Sequence, residues 1–186
     1  MLRSLVGSEM CIRDSRQPAL LAHSLSILVG QYPARTGITA PVCHINRIYL
    51  NKELVNDGPK SRVLVANSVS RLKPEYFTLA EAFKEAGYAT AHFGKWHLGH
   101  NLKPGDHYEP MDQGFDSDFP HTPNAAGPGN SYLAPWKFIK DPTITDDVGV
   151  NIEDRMSKEA AKYIAAHKAK PFYLNYWAFS VHGPWN

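Results

Sequence analysis

Two stretches of the chain repeat one pattern: helix spacing, then strand spacing, then a polar loop. In the first, Leu79, Ala82, Phe83 and Ala86 recur at the three- and four-residue intervals of one helical face. Thr78 and Glu81 stand ahead of them as a capping box, in which hydroxyl and carboxylate each satisfy a backbone N–H that the helix start leaves unpaired. Gly87 ends the helix, because it takes the left-handed turn cheaply. Tyr88 to Phe93 reads as a short strand and leads into Gly94-Lys95-Trp96-His97-Leu98-Gly99. In the second stretch, Met156, Ala160, Tyr163, Ile164 and His167 mark one face of a helix from Ile152 to Lys168. Pro171 forbids its continuation. Phe172 to Phe179 is aromatic and strand-like, and runs into Ser180-Val181-His182-Gly183-Pro184.

The remaining segments are less regular. Pro18 to Val29 is rich in apolar residues, and Gly30 to Ile38, with Pro33 and two glycines, reads as a turn or loop. Asn51 to Lys73 is polar and mixed, which predicts a surface excursion. Asn101 to Val150 is rich in Pro, Gly and Asp, and Thr122 to Asn130 within it reads as loop. A loop region of that length in a compact domain is usually functional. Met1 to Ser15 has neither period and resembles a translated adapter scar, so residues 16–186 are read as the domain. Helix, strand and loop, twice over, predict an α/β layered fold with a mostly parallel sheet flanked by helices. Ligands bind beyond the carboxyl ends of such strands. Lys95 and His97 on one loop and His182 on the other are therefore expected to converge, although 85 residues separate His97 from His182.

Composition narrows the function classes. The 186 residues are 43% hydrophobic and 20% charged, which is a globular balance, and a formal charge of +2 gives no footprint for nucleic acid. Two cysteines, Cys11 and Cys43, make no disulfide framework and no structural zinc pattern. No apolar run reaches the roughly 18 residues of a membrane span. Ser8, Glu9 and Arg13-Asp14 interrupt any signal-peptide core, so the sequence assigns no compartment.

A Lys and a His in one pocket suit an anionic substrate: the ammonium supplies fixed charge and the imidazole moves a proton. On spacing alone, Lys-x-His is a weak pattern and reads rather as a surface turn around a buried Trp, and His182 alone reads as a hydrogen-bonded loop histidine. His44, His92, His100, His107, His121 and His167 have no motif around them, and His92 is read as structural. Longer blocks carry more. Tyr76 to Gly99, YFTLAEAFKEAGYATAHFGKWHLG, resembles the helix–strand–GKWHLG block of the sulfatase family. Gly30 to Ile38, Met111 to Asp116 and Pro171 to Pro184 resemble three further blocks of that family, in the same order.

The resemblance implies an alkaline-phosphatase-like fold and hydrolysis of a sulfate ester, with a sulfate-ester small molecule or sulfated glycan as partner. It implies a formylglycine nucleophile, made from Cys in a Cys-x-Pro-Ser/Thr-Arg motif, and a calcium ion that polarises the sulfate. Carried over, Lys95 holds a sulfate oxygen, His97 assists the nucleophile, and His182 binds sulfate and protonates the leaving group. A phosphoester or phosphonate hydrolase of the same superfamily, and a non-catalytic remnant that binds sulfated glycans, are the competing readings.

The sequence departs from the family at the nucleophile. That position is Leu20, ten before Gly30, and Leu20 to Ser24 reads Leu-Leu-Ala-His-Ser. Leu cannot become formylglycine, so the chain as written is expected to be inactive. A one-base shift converts one coding of those residues into Cys-Ser-Pro-Thr and the start of Arg, which suggests a local frameshift. Cys43 to Arg47 has Cys and Arg at the family's spacing, but Ile45 replaces the Pro and the segment follows Gly30 to Ile38; it is read as structural. Calcium ligands are expected outside this sequence at both ends, and Asp146-Asp147 is read as a solvated pair.

Overall fold

The computed structural model describes residues 19–40, 42–56, 62–122, 131–139 and 144–180. Expectations that fall on residues 1–15, on 123–130 and on His182 lie outside the described residues. Helix α1 spans Ala19–Val29 and a single helical turn, α2, spans Pro33–Thr36. Strands β1 (Leu54–Asn56) and β2 (Leu64–Ala66) pair as a short antiparallel ribbon. Helix α3 is Leu79–Glu85 and β3 is Ala89–Gly94. A 3-10 turn at Pro110–Gln113 precedes β4, Ser117–Phe119. Helix α4 (Ile152–His167) and β5 (Phe172–Trp177) close the described chain.

Strands β4, β3 and β5 form a parallel sheet in that order, with Phe93 opposite Phe119 on one side and Gly94 opposite Trp177 on the other. Successive side chains of β3 point to opposite faces, as pleating requires. Ala91 and Phe93 pack with Ile152, Met156 and Ala160 of α4. On the other face, His92 lies against Trp96, Phe115 and Trp177. That side also holds Leu25 and Leu28 of α1 and Ala80 of α3. The sheet is therefore covered by α1 and α3 on one face and by α4 on the other, the α/β layering that the repeated pattern predicts.

Local chemistry explains the clearer elements. Thr78 Oγ1 accepts from the Glu81 N–H at 3.1 Å, and the Thr78 N–H donates to Glu81 Oε2 at 2.6 Å, so the capping box is complete. The Gly114-Phe115-Asp116 turn is a structural lock. Asp116 accepts from the Thr90 backbone N–H at 3.1 Å and pairs with Lys84 at 2.7 Å, which holds its carboxyl below the usual range. Phe115 is buried beside the His92 ring.

Two expectations are corrected. Asn51 to Lys73 is not wholly a surface excursion, because Ser68, Val69, Ser70, Arg71 and Leu72 are buried. The long loop region from Asn101 contains β4, which extends the sheet by one strand.

Candidate functional site

Parallel strands deliver their following loops to one edge of the sheet, and the loop after β3 is fixed there at nearly every residue. Gly94 has φ 109°, and a Cβ at that position would lie 1.8 Å from the Trp177 carbonyl oxygen. Only glycine lets β3 and β5 stay paired to their ends. The Lys95 N–H donates to that same carbonyl at 2.9 Å. Trp96 is buried, donates from Nε1 to the Tyr108 carbonyl at 3.0 Å, and stacks on Trp177. The Leu98 carbonyl accepts from the Leu72 N–H at 2.7 Å. At Gly99 a Cβ would meet both Arg71 Cδ and Tyr108 Cβ at 2.9 Å.

His97, held between these anchors, is buried and has φ 57°. The left-handed region costs a non-glycine residue roughly 1–2 kcal/mol, and such strain collects at functional sites. With Trp96 and Leu98 committed to the core, Lys95 and His97 meet a different loop. The His97 ring centroid lies 6.3 Å from that of His44, and the Lys95 charge acts on the neighbouring Cys43.

Arg71 joins these loops from behind. It is fully buried, and its guanidinium donates to the His100 carbonyl at 3.1 Å, the Ser70 carbonyl at 2.8 Å and the Ile45 carbonyl at 2.9 Å. Among the described residues no carboxylate lies within ion-pair distance of it. Burial pulls its pKa down, while Cys43, Tyr108 and Asp106 oppose that shift. Burial pushes the Cys43 thiol up to about 12 against the pull of Arg71 and Lys95, so the thiol stays neutral. His100 is held below its ordinary range, first by burial and then by Arg71. Arg71 and Lys95 thus bring two basic side chains to the loops around Cys43.

The loops after β5 and β4 reach the same edge. Tyr132 Oη donates to the Phe179 carbonyl at 2.6 Å, and Glu153 Oε1 accepts the Ser180 N–H at 2.5 Å. These bonds fix the chain just past β5, and Gly94 lies opposite Trp177, so the ends of β3 and β5 are neighbours. Past β4, His121 Nδ1 lies 2.7 Å from Asp118 Oδ2, and its Nε2 lies 3.5 Å from Glu109 Oε2. Burial holds the Asp118 carboxyl above its usual range, opposed by His121. Thr122 is buried, and its hydroxyl has no partner among the described residues.

Sequence reasoning missed Arg71, His44, His121 and Thr122. Only β4 brings His121 and Thr122 to this edge, and three residues are too few to show a strand period. His92, read as structural, is fully buried: Asn175 Nδ2 donates to its Nδ1 at 2.9 Å, and burial lowers its pKa to about 3. Leu20 lies in the first turn of α1.

Among the described residues no three His, Cys, Asp or Glu side chains come together as ligands. Asp146 is bound by Arg155. No helix of the described residues is long and apolar enough to cross a membrane.

Comparison with known proteins follows the same outline. The sequence profile of the Sulfatase family matches residues 26–186. The chain is 28% identical to the N-acetylgalactosamine-6-sulfatase of Mus musculus over 186 aligned residues, covering 91% of this chain and 32% of that protein. Its identity to the Sus scrofa protein of the same name is 31%, covering 86% of this chain and 30% of that one. The chain thus spans about a third of the length of these curated relatives. The crystal structure of Ps i-CgsB in complex with k-i-k-neocarrahexaose superposes with a TM-score of 0.57 at 19% identity, covering 90% of this chain and 36% of that one. The expected alkaline-phosphatase-like α/β architecture is the fold of this chain.

Proposed function

The chain belongs to the sulfatase family, and from that premise we propose that the whole protein hydrolyses sulfate esters at the edge where β3 and β5 end. The observation that carries this reading is the fixed loop from Gly94 to Gly99, with its strained His97 and its cationic surroundings. Lys95 holds a sulfate oxygen and offsets the charge that grows there in the transition state. His97 moves a proton at the nucleophile. His182 gives a proton to the ester oxygen as the S–O bond breaks, so that the alcohol leaves neutral. Calcium would act as a Lewis acid on the sulfate, but no step here passes through it, since the described residues do not form its cage.

The nucleophile belongs at position 20. Helix α1, which begins at Ala19, packs Leu25 and Leu28 into the same cluster as Trp96 and Leu98. The family match begins at residue 26, just after Leu20 to Ser24. Both observations support a frameshift that replaced Cys-Ser-Pro-Thr-Arg. A sulfated glycan is the favoured substrate, because relatives named for N-acetylgalactosamine 6-sulfate and a structural neighbour holding neocarrahexaose act on or bind carbohydrates.

The test is the full-length protein carrying L20C, L21S, A22P, H23T and S24R, produced with the formylglycine-forming enzyme. It should cleave an aryl sulfate and not an aryl phosphate, and K95A should lower kcat/KM about a hundred- to a thousand-fold. Preference for the phosphate would move the assignment to the phosphoester hydrolases. Failure on both substrates with the aldehyde present would overturn the reading.

A further inference from the structure

The Cys43–Arg47 segment, whose Cys and Arg imitate a nucleophile motif, packs against the Lys95 loop for another reason. Its thiol is buried and neutral, so it is not a second nucleophile. Its neighbour His44 is exposed, and its ring lies 6.3 Å from the His97 ring at an interplanar angle of 37°. Two hydrogen bonds from one buried group set this distance: Arg71 donates to the Ile45 carbonyl on one loop and to the His100 carbonyl on the other. Cys43 feels the charges of both Arg71 and Lys95, and His100 feels that of His44, so all of these groups share one neighbourhood. Among the described residues no carboxylate lies within ion-pair distance of His44. An exposed imidazole held beside His97 on the Lys95 loop, with no acid among the described residues to occupy it, is left to meet an anionic ligand.

We propose that His44 is a further substrate-binding residue of this site, donating a hydrogen bond to the sulfate group of the substrate beside Lys95 and His97. The proposal rests on the functional reading above. It makes Arg71 a positioning residue, which fixes the His44 loop without touching substrate.

Titrating the 186-residue chain with inorganic sulfate, followed by imidazole NMR shifts and calorimetry, tests it. Wild type should bind sulfate, with His44 resonances among those that move. H44A should weaken binding about five- to tenfold, the worth of one ordinary solvent-exposed hydrogen bond. H44K should recover most of the loss by restoring an N–H donor. R47A removes an exposed charge from the same loop and should stay within about twofold of wild type. His44 is exposed, so H44A should melt with wild type, and circular dichroism checks this. If K95A weakens binding and H44A does not, the role of His44 is refuted while the pocket stands. If wild type binds no sulfate, or K95A changes nothing, both readings fall.

Discussion

Replacing His92 tests how the layer beneath the site is held. This imidazole is fully buried among Trp96, Phe115 and Trp177, and its Nδ1 accepts a hydrogen bond from Asn175. Burial lowers its pKa to about 3, from an ordinary value of 6.5. The unfolded chain takes up a proton as the pH falls through 6.5, and the folded chain does not until about 3. Stability from this residue is therefore complete above pH 6.5 and is lost progressively on acidification towards pH 3. The slope approaches about 1.4 kcal/mol per pH unit, so moving from pH 7 to pH 5 costs about 2 kcal/mol. H92Q keeps an acceptor for Asn175 but has no proton to gain. It should be less stable at pH 7 by about 1–3 kcal/mol, through imperfect packing. Its loss of stability between pH 7 and pH 5 should be about 2 kcal/mol smaller than that of wild type. Urea unfolding at both pH values gives the double difference, in which the other histidines cancel. Equal pH dependence in the two proteins would refute the buried, neutral imidazole.

Other changes probe the scaffold. G94A forces a Cβ into the Trp177 carbonyl, and should destabilise the chain by more than about 4 kcal/mol, read as loss of a cooperative thermal transition; a melt near that of wild type would contradict the β3–β5 pairing. T78A removes both the cap of α3 and the 2.8 Å bond to the Gln113 carbonyl, and should cost about 1–2 kcal/mol in urea unfolding. Cys43, buried and held neutral to about pH 12, should resist alkylation at pH 8 in the folded chain and react on unfolding; rapid labelling of the native protein would contradict its burial.

What could be read along the chain, and what could not, divides by the range of the interactions. Thr78 and Glu81, Gly87, Pro171 and the two helix faces act within a few residues, so helix α3, strand β3, helix α4 and strand β5 follow from local order. The pairing of strand ends follows from parallel topology, which the repeated pattern implies. Arg71 was hidden because three carbonyls distant along the chain satisfy its charge, and a polar surface segment would look the same. β4 was hidden by its length, and with it the place of His121. His44 has no motif of its own: only the Arg71 bridge between Ile45 and His100 brings it to the site.

The most direct measurement of the central claim is a crystal structure of the full-length protein grown with sulfate. The account predicts one ion at the ends of β3 and β5, within hydrogen-bonding reach of both the Lys95 ammonium and the His182 ring. Lys95 and His182 facing different surfaces, with sulfate at neither, would contradict it.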